Sequence, residues 1–201
     1  MTVGPLPSQG QSDSGDLRDL VRASIRGDED AARRLFVSIA PIFARAGRST
    51  LGAHHPEVED FVQEAALRFF RGLEKFRGDS HVRRYAYRIG GNVAVDWIRA
   101  QKMQKRDGVE VELKDELQAV SDPADRLDHR RLMAAVTDAL PEEQLQAFML
   151  RHGMGLSIRE VAEIAGSPEN TVRSRLRLAK SSIKRTLQAR PELLAIWEGE
   201  A

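Results

Sequence analysis

The fold of this protein is decided by residues 155–180, which read GLSIREVAEIAGSPENTVRSRLRLAK. Apolar residues at helical spacing predict a short helix over Ser157–Ala165, and Gly166 then turns the chain. A second helix is predicted from Pro168 to Leu187, with Ser167 as its cap and Pro168 in the first turn, where a backbone N–H is not needed. Two helices joined by a tight turn in this way are typical of a helix-turn-helix.

The second helix of this pair carries two stripes with the same spacing. The apolar stripe, which we expect to be buried, consists of Val172, Leu176, Ala179, Ile183 and Leu187. The basic stripe consists of Arg173, Arg177, Lys180 and Lys184, with Arg175 beside it, and Thr171 and Ser174 lie near the helix start. These residue types contact phosphates and base edges in a DNA major groove. The pattern favours DNA binding, with a solvated basic face on a structural helix as the alternative.

A second basic surface is predicted nearer the N-terminus, on a long helix from about His81 to Gln104. Its buried stripe would be Val82, Tyr85, Ile89, Val93 and Trp97, and its other side carries Arg88, Asn92, Arg99, Lys102 and Arg106. Asn92 is informative because asparagine lowers helix propensity yet offers both a donor and an acceptor. The pair Gly90-Gly91 inside the helix indicates close helix packing.

The turn before this helix reads FRGDS over Phe76–Ser80. Gly78 permits a backbone that exposes Arg77 and Asp79, and an aromatic ring such as Phe76 can stack on an unpaired base. For this block a contact with nucleic acid and an ordinary solvated basic face both remain open.

An acidic face is predicted on the preceding helix, which runs from Glu57 to about Leu73. Its apolar positions are Val58, Phe61, Val62, Ala65 and Phe69, and its polar side carries Asp60, Gln63 and Glu64. Acidic residues repel DNA, so this face is either solvated or binds a protein.

Composition and charge limit the kinds of fold and function that the chain can have. The chain has 201 residues, 41% of them hydrophobic, which suits one or two folded domains. The absence of cysteine excludes disulfides, thiolate metal sites and a cysteine nucleophile. The net charge of the whole chain is +1, but it is unevenly distributed. The net charge is +7 over residues 65–107, −5 over residues 108–128 and +7 over residues 171–190. Two separate basic blocks predict two contacts with polyanions.

The predicted fold class is all-α, with two small helical domains joined by a flexible linker and a helix-turn-helix in the C-terminal domain. Further helices are predicted over Asp16–Arg26, over Asp28–Ala40 with Pro41 interrupting or kinking the pattern, over Leu132–Leu140 and over Glu142–Arg151. The predicted boundaries are a disordered tail at 1–15, a first domain at 16–106, an acidic linker at 107–126, a second domain at 127–190 and a tail at 191–201. The N-terminus is unlike a signal peptide, and no apolar run is long enough to span a membrane.

Several motifs together resemble a known family. DFVQEAALRFF from Asp60, FRGDS from Phe76 and YRIGGNVAVDWIR from Tyr87 resemble region 2 of bacterial extracytoplasmic-function (ECF) sigma factors. LPEEQ from Leu140, together with the helix-turn-helix at 155–180, resembles their region 4. The chain departs from the common pattern at Tyr85, where the family usually has Trp, and at Gly90-Gly91, which replaces a small or aliphatic pair.

The resemblance implies a subunit that binds core RNA polymerase, recognises the −10 and −35 promoter elements and promotes DNA melting. Asp60, Gln63 and Glu64 would dock on the β′ clamp helices, while the apolar surface of the second domain would meet the β flap. The −10 element would be bound by Phe76, Arg77, Gly78, Asp79, Ser80, Arg88, Asn92 and Arg99. The −35 element would be bound by Thr171, Arg173, Ser174, Arg175, Arg177 and Lys180.

The resemblance further implies a cytoplasmic, non-catalytic protein with no metal or other cofactor and no direct membrane insertion, held inactive by an anti-sigma factor. Two other functions are considered from the residues. A stand-alone helix-turn-helix regulator would bind a symmetric operator without polymerase. A metal-dependent enzyme would use the cluster between His54 and Asp60, although that cluster lacks the usual spacing of metal-binding histidines.

Overall fold

The computed structural model describes residues 12–76, 81–106 and 123–194, and all regular structure in these ranges is helical. The helices are α1 (Ser12–Ile25), α2 (Glu29–Leu51), α3 (Val58–Gly72), α4 (Val82–Arg106), α5 (Pro123–Ala139), α6 (Glu142–Phe148), α7 (Ile158–Ala165) and α8 (Glu169–Gln188). A 3₁₀ turn over Leu73–Lys75 follows α3, and a π-helical turn over Met149–Gly153 follows α6. The prediction of an all-α fold is confirmed. Within the described ranges, no helix has both the length and the apolar character needed to cross a bilayer.

The first helical unit is formed by α1 to α4, which pack around α2. Phe43, Phe61 and Phe69 are fully buried at its centre, and the rings of Phe43 and Phe69 meet edge to face at 6.1 Å. Burying one such ring stabilises the fold by about 1.5–3 kcal/mol. The apolar spacing predicted for α3 therefore builds this core, and it leaves the polar side of α3 facing outward.

Helix α2 is longer than predicted. We expected Pro41 to interrupt or kink it; the interruption is absent, since the helix continues from Glu29 to Leu51 with Pro41 inside it. Pro41 lies on the exposed side, one turn after the exposed Val37, so the carbonyl that loses its partner can bond to water. On the opposite side Ile39 and Phe43 are completely buried, and their packing carries the helix past the proline.

The second unit is formed by α5 to α8. Ser157 caps α7 by accepting a hydrogen bond from the Glu160 amide at 3.2 Å, and the Glu160 carboxylate accepts from the Ser157 amide at 2.7 Å. Gly166 ends α7 in the left-handed conformation, with φ of 60°. The predicted apolar stripe of α8 is confirmed, since all five of its residues are buried. This is the predicted helix-turn-helix.

Three local predictions need correction. Ser167 does not cap α8, because its hydroxyl bonds to the Ala165 carbonyl and to Arg175, and Pro168 takes the cap position without a side-chain bond. Helix α6 does not reach Arg151 as a regular α-helix, because it widens into the π-helical turn after Phe148.

The third correction concerns helix starts: α1 begins at Ser12, inside the predicted tail, and α5 begins at Pro123, inside the predicted linker. The remaining parts of those segments, residues 1–11 and 107–122, lie outside the described residues, as do residues 195–201 of the predicted C-terminal tail.

The two units pack directly against each other, which the sequence did not predict. Helix α4 contacts α5, α6 and α7, and α2 contacts α5 and the π-helical turn. Gly90 and Gly91 of α4 are buried, and they face Met154 and Leu150 of the second unit. The close helix packing expected at this glycine pair is therefore found, and it joins the two units.

Candidate nucleic-acid and protein interfaces

The acidic face of α3 is exposed and partly fixed in place. Asp60 and Gln63 are exposed, while Glu64 is half-buried. One oxygen of the Glu64 carboxylate accepts a hydrogen bond from Arg68 at 2.6 Å, and the other accepts one from the indole N–H of Trp97. The Trp97 ring lies against Phe61 at 5.6 Å, so the buried core holds the indole that orients Glu64.

Arg68 links this face to α4, because its guanidinium also donates to Asp96. One hydrogen bond to Asp96 and one to Glu64 raise the pKa of Arg68, against the opposing effect of burial. A groove of about 320 Å³ lies here and is lined by Glu57, Asp60, Glu64, Arg68, Asp96, Trp97 and Ala100. Sequence reasoning missed Arg68 and Asp96, since their pairing depends on how α3 meets α4.

The predicted −10 face on α4 brings Arg88, Asn92 and Arg99 to one exposed side of the helix. Arg88 lies over the Tyr85 ring at 5.3 Å, a cation–π arrangement that orients the guanidinium. Burial raises the pKa of Tyr85, and the nearby Arg88 partly offsets that rise. Phe76 is half-buried and packs against Tyr85, with the ring centroids 5.3 Å apart and the rings tilted by 40°. The other predicted residues of the turn, Arg77, Gly78, Asp79 and Ser80, lie outside the described residues.

Gly72 leaves room for the Tyr85 side chain beneath this face, a role that the sequence did not reveal. A Cβ atom at Gly72 would lie 1.9 Å from the Tyr85 hydroxyl oxygen. The last position of α3 therefore has no room for a side chain, because Tyr85 fills that space. Tyr85 in turn packs between Phe69, at 5.2 Å, and Phe76.

The predicted −35 residues on α8 fall into two groups. Arg173, Ser174, Arg177 and Lys180 are exposed. Arg173 pairs with Glu169 of its own helix at 3.1 Å. Arg175 differs, because its side chain is 21% exposed and bonds to Glu143 of α6 at 2.6 Å and to the Ser167 hydroxyl at 3.2 Å. Thr171 is half-buried. Arg175 thus ties the start of α8 to α6.

Side chains of the second unit also contact the −10 face. Glu142 of α6 pairs with Arg99 at 3.2 Å, and Gln146 donates to the side-chain oxygen of Asn92 at 2.7 Å. Glu163 of α7 pairs with Arg84 of α4 at 2.5 Å. The acidic first turn of α6 was visible in the sequence, but its partners depend on the packing of the two units.

The histidine cluster considered as a metal site has another structural explanation. His55 is buried, and its ring Nδ1 accepts a hydrogen bond from the Glu57 amide at 3.2 Å. His54 is exposed on the neighbouring turn. Among the described residues, no group of three or more His, Asp or Glu side chains is arranged to hold a metal ion.

Comparison with known proteins identifies the class of protein to which this chain belongs. Residues 35–103 match the family Sigma-70 region 2, and residues 130–183 match Sigma-70, region 4. The ECF RNA polymerase sigma-E factor of Escherichia coli strain K12 is 32% identical over 181 residues, covering 84% of this chain and 93% of that protein. The factor of the same name from Haemophilus influenzae is 31% identical over 153 residues, covering 71% and 81%. A solved structure of CnrH in complex with the cytosolic domain of CnrY has a TM-score of 0.54 at 23% identity, covering 87% of this chain and 99% of that one.

The matches and the two helical units define a bacterial transcription initiation factor of the sigma-70 class. More narrowly, the chain belongs to the ECF sigma factors of RNA polymerase. The prediction from the sequence motifs is confirmed, and the alternative of a stand-alone regulator is not favoured. The family consists of specificity subunits, generally not enzymes.

Proposed function

We propose that this sigma factor divides its work among three helices: α3 docks on core polymerase, α4 holds the −10 element and α8 reads the −35 element. The observation that carries the proposal is the segregation of charge. The acidic face and the two basic faces lie on three different helices, and each helix is anchored by a buried apolar side.

The docking face consists of Asp60, Gln63 and Glu64 on α3, and its partner is the β′ clamp helices. Two of these side chains are exposed, while Glu64 is held by Trp97 and Arg68. A carboxylate already oriented by a buried indole loses less side-chain entropy on binding than a freely rotating one. We propose that the β flap contacts the second unit, as the family resemblance implies.

The −10 face consists of Arg88, Asn92 and Arg99, together with the turn Phe76–Ser80. Arg88 is oriented by Tyr85, and Phe76 packs against the same ring. Such a platform suits an unstacked base of the non-template strand, because base–aromatic stacking contributes about 1–3 kcal/mol per base.

The −35 face consists of Thr171, Arg173, Ser174, Arg175, Arg177 and Lys180 on α8. Its exposed cations suit the major groove. We assign Arg175 a positioning role as well, since it fixes α8 to Glu143.

The broader setting follows the family. We propose that the helical units α1 to α4 and α5 to α8 act as two domains joined by the segment between Arg106 and Pro123, and that the protein works in the cytoplasm without catalysing a reaction. An anti-sigma factor is the expected regulatory partner. The fold likeness to CnrH, which was solved with the cytosolic domain of CnrY, supports a protein partner of this kind.

Reconstitution tests the proposal. The purified chain is mixed with core polymerase, run on a sizing column and assayed for transcription from the region upstream of its own gene. We expect a holoenzyme peak and initiation at a fixed site. Asp60→Arg should abolish both, while Glu59→Arg, at a neighbouring exposed position on the same helix, should change them little. Failure of the native chain to comigrate with core polymerase would refute the proposal.

A further inference from the structure

Helix α8 carries one large apolar side chain outside its buried stripe. Leu178 is 45% exposed, whereas all five residues of the stripe are buried. Three of the four positions one turn away from it are the small residues Ser174, Ser181 and Ser182, and the fourth, Arg175, is bonded to α6. Isolated exposed leucines are common on protein surfaces, so the place of this one on the helix decides what it can do.

Leu178 lies within the proposed −35 face. It follows Arg177 directly in the sequence, and Lys180 comes two positions later. At about 100° per residue, Leu178 and Ser174 lie about 40° apart around the axis of α8 and about 6 Å apart along it. Both are on the side away from the buried stripe. A helix that presents Ser174 and Arg177 to the floor of a major groove therefore presents Leu178 there as well.

The chemistry of a leucine side chain suits one base above the others. It can neither donate nor accept a hydrogen bond, so against a G·C pair it would displace water from the guanine acceptors or the cytosine amino group without replacing it. Among the four bases, thymine alone presents a methyl group in the major groove. Contact between Leu178 and that methyl group removes apolar surface from water on both sides.

We propose that Leu178 is a specificity-determining residue of the −35 face, which selects a thymine by packing against its C5 methyl group. This inference rests on the proposed function, because it assumes that α8 enters the major groove of the −35 element. Arg177 and Lys180 offer donors for guanine or phosphate, and Leu178 adds an apolar contact between them. The −35 element then contains an A·T pair whose methyl group faces Leu178.

Selection from a promoter library tests the proposal. Core polymerase is combined with the native chain or with Leu178→Ala, and promoters with a randomised −35 element are selected by the holoenzyme and sequenced. We expect the native holoenzyme to enrich thymine about fourfold at one position, which is the effect of burying one methyl group. Leu178→Ala should lose this enrichment. The variant should also fold normally, because Leu178 is exposed and alanine favours a helix.

Deoxyuridine in place of the selected thymine removes the methyl group and leaves the base pair intact. In a competition gel shift, this change should weaken binding of the native holoenzyme about fourfold and hardly affect the Leu178→Ala holoenzyme. Leu178→Met, which keeps a flexible apolar side chain, should still prefer thymine to deoxyuridine. Val37→Ala shortens an exposed apolar side chain on α2, outside the three proposed faces, and is the matched control.

The outcomes separate this inference from the proposed function. If the native holoenzyme selects no sequence at −35, the proposed −35 face is wrong and the inference falls with it. If it selects a −35 element but binds thymine and deoxyuridine equally, or if Leu178→Ala discriminates between them as well as the native chain, only the inference is overturned. Loss of holoenzyme formation by Leu178→Ala on a sizing column would also overturn it, since the leucine would then contact polymerase.

Discussion

Gly72 offers a test of how the −10 face is built. In Gly72→Ala the new methyl would lie 1.9 Å from the Tyr85 hydroxyl oxygen, so Tyr85 must move by more than about 1 Å to reach van der Waals distance. Moving the ring weakens its contacts with Phe69 and Phe76, which now stand at 5.2 and 5.3 Å. Each aromatic pair is worth about 0.5–1.5 kcal/mol, and replacing glycine at the helix end returns at most about 1 kcal/mol. The net loss is about 1–2 kcal/mol.

Urea unfolding followed by far-UV circular dichroism measures this loss. The decisive comparison is Tyr85→Phe, which removes the hydroxyl oxygen and leaves the ring carbon at 3.2 Å as the nearest atom. We expect Gly72→Ala to cost much less in the Tyr85→Phe background than in the native chain. The reasoning is refuted if Gly72→Ala is as stable as the native protein, or if the cost is the same in both backgrounds.

Three further tests probe the second unit. Arg177→Ala should lose selection of the −35 element in a gel-shift assay and keep polymerase binding on a sizing column. Arg185→Ala, on the same helix outside the proposed site, is the control. Equal loss of polymerase binding would argue for a structural role. Arg175→Ala should lower both the midpoint of thermal unfolding and the selection of the −35 element. Arg173→Ala should lower selection alone, because of these two arginines only Arg175 is bonded to α6. Equal melting curves for the two variants would contradict this. Ser157→Ala removes the capping box of α7 and should cost about 1 kcal/mol in urea unfolding, and an unchanged midpoint would show that the cap is dispensable.

The helix-turn-helix was predictable because its signals are local. The buried stripe of α8 follows from residues three and four apart, and the turn follows from Gly166, which takes the left-handed conformation that glycine tolerates. The same local logic correctly placed the exposed acidic side of α3.

The parts that could not be predicted depend on tertiary packing. Pro41 interrupts a helix in isolation, but α2 continues past it with Ile39 and Phe43 buried on the opposite side. Asn92 and Gln146 are 54 positions apart, so their hydrogen bond depends on how the second unit meets α4. The pair Gly90-Gly91 predicted close packing against another element, but the sequence did not identify that element.

The π-helical turn has a consequence for how this protein can change. Its hydrogen bond from the Met154 amide to the Met149 carbonyl, at 2.9 Å, encloses one residue more than an α-helical turn. Losing a single codon within Met149–Gly153 would restore α-helical geometry and rotate everything that follows by about 100°. Such a deletion would move Met154 away from its place beside Gly90. The length of this turn therefore sets how the second unit lies against α4.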